Sequence, residues 1–298
     1  MYNQLERIFM FVPEVKEVFM HSTVDREWYY KDLIAKDTIL LITGNPKSGK
    51  STFCMTLLDA ITSNKPFFDL PFIAKTIPKV LYINYEMSDS DLRMRVKPLD
   101  LKNISLIRNG NLCDLSVPEH LEKLRTICND YDIIAFDTLS RCGSFDENSS
   151  TSMGNLMKFF ISLRDQKKCI ILVHHNSKTG KTRGSSVIDA QVDSKLCLAK
   201  CGGKFIATME YSRCSDLSST FAYTIKQENN SLLLQKVQTN KYDYVLLAIK
   251  QGLDTSSKLV RGGVLSTKNV SAVLKEMEKN GELSKVREGK TKFLKINE

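Results

Sequence analysis

The octapeptide Gly44-Asn45-Pro46-Lys47-Ser48-Gly49-Lys50-Ser51 constrains this chain more than any other stretch, because its spacing serves one geometry. Two glycines bracket four residues and a Lys-Ser pair closes the run, which is the spacing of a phosphate-cradling P-loop. The flanks agree. Thr38–Thr43 reads as a short buried strand, and Ser51–Ile61 carries apolar residues at helical spacing. A strand, a glycine loop and a helix start together aim backbone N–H groups and the positive end of a helix dipole at a polyphosphate. Lys50 is expected to reach the β- and γ-phosphates of ATP and Ser51 to ligate Mg2+, with Gly44 through Ser51 and then Thr52 forming the cradle.

The pattern downstream repeats strand and helix. Val80–Tyr85, Asn103–Arg108, Asp132–Asp137 and Cys169–Val173 are short apolar runs, and Ser88–Leu99, Pro118–Tyr131 and Met153–Lys167 are helical between them, with Ser88 or Asp89 as an N-cap. Strands apolar on both faces and alternating with helices imply an α/β fold, a mainly parallel sheet covered on both sides. From Val192 to Val237 the runs are strand-like only (Lys195–Ala199, Phe205–Glu210, Thr220–Lys226) and read as an antiparallel extension of that sheet.

The carboxy-terminal segment follows another logic. Helices over Tyr242–Lys250 and Ser266–Asn280 precede two strands, Leu283–Arg287 and Lys292–Ile296, joined through Glu288-Gly289-Lys290. Helices followed by a hairpin with a basic tip make a winged-helix pattern. Such a module lays one helix in a DNA major groove and its wing along phosphates, or docks protein. Lys268, Asn269, Lys275 and Lys279 would face outward from the helix, and Lys285, Arg287, Lys290 and Lys292 from the wing. From residue 241 onward twelve Lys/Arg stand against seven Asp/Glu, about half of the chain's net charge of +9, which hints at an anionic partner. The expected division is an amino-terminal helical extension over 1–30, an ATPase core over 31–238 and a winged-helix-like domain over 239–298. Eight cysteines are scattered with no C-x-x-C pair, and no apolar run reaches the length of a membrane span. Met1–Glu17 carries no signal-peptide pattern, so a cytoplasmic chain without a membrane partner is expected.

Asp137, at the end of its apolar strand, is placed to hold the Mg2+ water shell beside Ser51. The next residue is Thr138, whereas many P-loop ATPases carry their catalytic glutamate there. Glu86, at the end of the run VLYINYE, is the candidate general base, unless it serves only as an acid at a helix start.

Taken in order, GNPKSGKS, KVLYINYEMSDSDLRMRV, DIIAFDTLSR, and ILVHHNSK followed by TRGSSVIDAQVDSKL resemble the RecA-like P-loop ATPases, and more narrowly the RepA-like hexameric helicase group, over roughly residues 35–230. The resemblance implies an Mg2+-dependent ATPase acting as a homo-oligomeric ring, a DNA motor in replication of a mobile element or phage. It implies that His175 senses the γ-phosphate, supported by His174 or Asn176. It also implies a trans-acting arginine finger, for which Arg183 and Arg213 are both candidates. Loops over Cys142–Thr151 and Ser177–Ser186 would line a channel for single-stranded DNA, although the first is acidic and departs from that expectation. Two other readings stay open, an ATP-gated DNA-binding regulator and a recombination or repair ATPase forming filaments.

Overall fold

The computed structural model describes residues 26–97, 99, 103–108, 114–176, 186–201, 203–215, 220–228, 231–238, 240–250, 253–261, 267–289 and 291–297. A two-stranded antiparallel ribbon, β1 (Trp28–Tyr30) and β2 (Ile34–Ala35), leads into β3 (Ile39–Gly44), the strand before the P-loop. The loop then opens helix α1 (Lys50–Thr62). Next come β4 (Val80–Asn84), α2 (Asp89–Val96), β5 (Ile104–Ile107), α3 (Pro118–Cys128), β6 (Ile133–Asp137), α4 (Ser150–Arg164), β7 (Cys169–Val173) and the short α5 (Val187–Gln191). Strands β8 (Ser194–Cys201), β9 (Lys204–Ser212), β10 (Thr220–Glu228) and β11 (Ser231–Lys236) complete a nine-stranded sheet of order β11-β10-β9-β8-β3-β7-β6-β4-β5.

Strands β3 through β8 run parallel to their neighbours, and β9 to β11 extend the sheet antiparallel, as the sequence implied. Because side chains alternate across a strand, each all-apolar strand feeds two cores. Leu40, Ile42, Tyr82, Ala135 and Val173 face α1 and the aromatic residues Tyr29, Tyr30 and Phe67. Ile39, Leu41, Ile83, Phe136 and Leu172 face α3 and α4. The chain passes from β3 to β4 while leaving room for β7 and β6 between them. The carboxyl ends of four neighbouring strands are thereby lined up on one edge, the usual location of ligand sites in open α/β sheets.

The remaining elements are α6 (Lys241–Lys250), α7 (Ser256–Arg261), α8 (Thr267–Lys279) and a hairpin of β12 (Leu283–Glu288) with β13 (Thr291–Ile296). They form a third core whose members include Ala199, Ile206 and Ala222, on the antiparallel strands. This unit therefore caps the face of β8–β10 that α1 leaves open. A Lys204–Asp243 ion pair of 3.2 Å sits at that junction.

Several elements are shorter than the periodicity suggested. Helix α2 ends at Val96 and α3 at Cys128, each in a turn the apolar spacing runs past. Of the expected helical extension over 1–30, residues 1–25 lie outside the described residues, and Trp28–Tyr30 is a strand instead. Pairing with Ile34–Ala35 and burial of both tyrosines decide that outcome.

Candidate active site

The cradle is built on close approach. Gly44 lies beside Leu198 of β8, and a Cβ there would stand 2.3 Å from the Leu198 carbonyl oxygen and 2.5 Å from Ser48 Oγ. Gly49 caps α1 in the left-handed region, φ 82°, with the Phe205 ring against its Cα face. Between them Lys47 also has a positive φ of 64°, and the Ser48 N–H donates to the Asn45 carbonyl at 3.1 Å. Lys50 is buried and curls back, its Nζ donating to the carbonyls of Gly44 and Asn45 at 3.0 Å each. Burial pulls the Lys50 ammonium below the usual lysine range, against the opposing pull of Asp137 and Glu86.

Asp137 ends β6 in complete burial. That burial pushes its carboxyl above the usual range, while the Tyr82 hydroxyl, which donates to Oδ2, and the nearby Ser51 hydroxyl hold it down. Among the described residues, Asp137 Oδ1 and Ser48 Oγ are buried with no hydrogen-bond partner. A buried anionic oxygen left unpaired is costly unless something cationic completes it. Opposite a helix start of P-loop conformation, that donor set fits a magnesium–nucleotide complex: Ser51 and Asp137 for the metal, the loop amides and Lys50 for phosphates. Thr138 gives no carboxylate and is turned away, its hydroxyl donating to the Val173 carbonyl at 2.9 Å.

Glu86 reaches the same edge from β4. Asn84 braces the intervening turn, accepting the Met87 N–H at 2.9 Å and donating to the Met87 carbonyl at 2.7 Å. Ser88 is the N-cap of α2, its hydroxyl accepting from the Asp91 N–H. Glu86 Oε2 lies 3.4 Å from His175 Nε2. That contact, with Lys50 and Arg141 as further positive neighbours, holds the Glu86 carboxyl below its ordinary value despite partial burial. His174 is buried beneath, and the Asn176 N–H donates to the Gly44 carbonyl at 3.1 Å, so the end of β7 touches the cradle directly. Lys50, Ser51, Asp137, Glu86 and His175 thus share one edge.

The two arginine candidates fare differently. Arg183 lies outside the described residues, as does most of the Ser177–Ser186 loop with Lys178 and Lys181. Arg213 follows β9, whose end pairs with the start of β8, and that start pairs with Leu40 rather than Gly44. At ~3.3 Å per residue, Arg213 is about 13 Å or more below the cradle on the opposite edge of the sheet. It cannot serve the P-loop of its own chain. Its Nη2 donates to the Ala190 carbonyl at 2.6 Å.

Three supporting residues escaped the sequence reasoning. Tyr82 stands under Asp137, a polar tip among the aliphatic residues Val80, Leu81 and Ile83. Arg95 Nη1 donates to Thr52 Oγ1 at 3.1 Å, from a helix that reads only as a charged surface. Arg141 sits in a 3-10 turn after β6, where no local pattern points toward Glu86.

The two expected DNA-facing regions are only partly described. The acidic loop after β6 is pinned by Asp114, which accepts the Ser144 N–H and hydroxyl, and Ser150 already begins α4. Four such donors from Ser116 and Ser144 hold the Asp114 carboxyl down at about 2. On the carboxy-terminal unit Lys275, Lys279 and Lys292 are exposed, whereas Lys285 is paired with Glu278 at 2.6 Å and Arg287 Nε donates to the Gly289 carbonyl. Lys290 and the side chains of Lys268 and Asn269 lie outside the described residues.

Comparison with known proteins agrees with the nucleotide-binding edge. The family described as AAA domain matches residues 6–181. The DNA repair protein RadA of Campylobacter jejuni subsp. jejuni is 27% identical over 195 residues, 61% of this chain but 39% of RadA. The chain thus spans about two fifths of that relative's length. An isolated ATPase domain of known structure superposes with a TM-score of 0.51 at 12% identity, covering 68% of this chain and 86% of that one. A KaiC-like protein from Pyrococcus horikoshii OT3 gives 0.50 at 13% identity, over 69% of this chain and 93% of the other. At such identities the likeness establishes the fold, a RecA-like P-loop sheet. Among the described residues no helix is long and apolar enough to cross a membrane.

Proposed function

The chain belongs to the AAA domain family, and on that footing we propose that this P-loop ATPase is a cytoplasmic, DNA-dependent motor of the RepA-like kind. Copies assemble as a hexameric ring and act in replication of a mobile element or phage. Lys50 and the loop amides of Gly44 through Ser51, with Thr52 behind them, bind the phosphates of ATP. Ser51 and Asp137 would hold Mg2+, which when bound would supply charge neutralisation at the phosphates. Glu86 accepts the proton of the attacking water, and His175 beside it reports whether the γ-phosphate is present. The arginine that stabilises the transferring group comes from a neighbouring copy, a contribution worth about 10³–10⁵ in rate. Arg213 is preferred for it over Arg183.

One observation carries this reading. Glu86, Asp137, Lys50 and His175 gather on one edge of the sheet, while Arg213 lies on the other. A ring of like-oriented subunits joins such edges. The winged-helix order of α6 through β13, with Lys275, Lys279 and Lys292 exposed, supports a second contact to duplex DNA.

Turnover with no DNA, with single strands and with duplex, alongside mass in a non-hydrolysable nucleotide, tests the proposal. Strongest stimulation by single strands and a hexamer mass are expected. Preference for one duplex sequence without stimulation would instead support the ATP-gated regulator. The RadA relative, named for DNA repair, favours a recombination or repair ATPase as the second reading, and open ATP-bound filaments in electron microscopy would select it.

A further inference from the structure

Asp193 stands between the start of β3 and the residue that follows β9. It lies between α5 and β8, and its main-chain N–H and side-chain carboxylate together bracket Ile39, the first residue of β3. The Asp193 N–H donates to the Ile39 carbonyl at 3.0 Å, and Asp193 Oδ2 accepts the Ile39 N–H at 2.8 Å. The Asp193 carbonyl accepts the N–H of Arg213 at 2.8 Å. Arg164, at the end of α4, brings Nη1 within 3.5 Å of Asp193 Oδ2, and the Asp193 side chain is only 14% exposed. Helix α5 closes the cluster, the Asp189 carbonyl taking the Tyr211 hydroxyl at 2.7 Å and the Ala190 carbonyl the Arg213 guanidinium.

The consequence is mechanical. Strand β3 is buried along its whole length and paired on both sides, with β7 and β8. Such a strand moves as a unit, so a displacement of the loop at Gly44 is carried to Ile39. There Asp193 is the link to the backbone of Arg213.

We propose that Asp193 is a positioning residue for the trans-acting arginine: it fixes Arg213 for the site of a second copy of this chain and ties it to the P-loop strand of its own copy. The proposal rests on Arg213 acting in trans. Asp193 itself touches neither nucleotide nor reacting atoms. It acts by clasping Ile39, by facing Arg164 and by holding the Arg213 main chain, so each subunit's nucleotide state reaches the arginine it lends its neighbour. A finger must be placed closely, since a misplacement of about 1 Å can cost about 10²-fold in rate.

Mixed assemblies of full-length chains test this. A Lys50→Ala chain cannot hydrolyse ATP but still lends Arg213, and an Arg213→Ala chain keeps its own cradle but lends nothing. Mixing the two is expected to restore turnover in the Arg213→Ala subunits. Adding Asp193→Ala to the lender is expected to lower the recovered kcat by about 10²-fold with the KM for ATP unchanged. Adding it to the receiver, where only that chain's own Ile39 is released, is expected to cost the recovered rate much less. Asp193→Asn in the lender keeps an oxygen for the Ile39 N–H and is expected to restore part of the loss, which separates placement from a failure to fold. Equal loss from lender and receiver, loss confined to the receiver, or no loss from either overturns the role of Asp193. No turnover in the mixture lacking any Asp193 variant overturns the trans reading itself, a failure distinct from the others.

Discussion

Replacing Gly44 by Ala puts the tightest approach in the cradle to the test. The added Cβ would stand 2.3 Å from the carbonyl oxygen of Leu198 and 2.5 Å from Ser48 Oγ. The serine hydroxyl can rotate away. The carbonyl cannot, because Leu198 belongs to a strand paired on both sides, with Gly44 and with Ala207. Restoring ordinary van der Waals spacing takes a shift of about 1 Å, and overpacking of that kind costs about 1–3 kcal/mol. The loop is the softer partner, so the displacement falls on the phosphate-binding amides and on the Gly44 carbonyl that holds Lys50. At about 1.4 kcal/mol per tenfold, nucleotide affinity should drop by roughly 10–100-fold, and whatever part of the strain the loop does not absorb should lower the melting temperature by about 2–4 °C per kcal/mol. Gly154→Ala is the control: it lies inside α4 with nothing within 4 Å of the added atom. Relief of the glycine penalty should stabilise the fold by about 1 kcal/mol, roughly 2–4 °C in melting temperature, without touching affinity. Titration with a fluorescent non-hydrolysable nucleotide, paired with thermal melts, reads both. If Gly44→Ala binds as tightly as the parent chain, the steric account of the cradle is wrong.

Other expectations follow from the same edge of the sheet. Glu86→Gln should bind ATP and lose turnover, and an undiminished rate would move the base elsewhere. Because the His175 hydrogen bond is the largest cause of the depressed Glu86 carboxyl, the base stays charged below its ordinary range; His175→Ala should shift the acid limb of the residual rate upward, toward the ordinary 4.5. An unmoved limb would detach His175 from Glu86. If Asp137, raised by burial, holds Mg2+ as proposed, protons compete with the metal for it, so the Mg2+ needed for half-maximal rate should climb as pH falls. Tyr82→Phe removes a donor that holds that carboxyl down and should make the climb begin at higher pH; the same Mg2+ dependence in both chains would contradict it. Truncation at residue 241 would uncover Ala199, Ile206 and Ala222, so the cleaner test of the carboxy-terminal unit is Lys275, Lys279 and Lys292 to Ala together. Duplex binding should weaken, with a salt slope shallower by about 0.9 for each phosphate no longer neutralised, and an unchanged slope would assign the unit to protein docking.

What the residues revealed in advance was local. The P-loop spacing, the aliphatic strands and Asp137 at a strand end each carry their geometry in neighbouring positions, and all are where the pattern implied. Glu86 and His175 are far apart in sequence, but each follows a strand whose carboxyl end lies on the same edge, so the sequence offered each residue singly and the fold supplied their contact. Tyr82 under Asp137, Arg95 on Thr52 and Arg141 near Glu86 were not legible, because each depends on how a side chain crosses between elements with no periodic trace. Helix α7, over Ser256–Arg261, is too short to display a period. Asp193 illustrates the same point, since a single acid after a five-residue helix announces neither Ile39 nor Arg213.

The most direct trial of the account is the specific rate of ATP hydrolysis, followed across protein concentration with the mass of the ATP-bound species recorded at each point. A site finished by a neighbour's arginine requires turnover per chain to rise with assembly and to fall by about 10³-fold or more when the chains separate. Undiminished turnover by isolated chains at high dilution would contradict it.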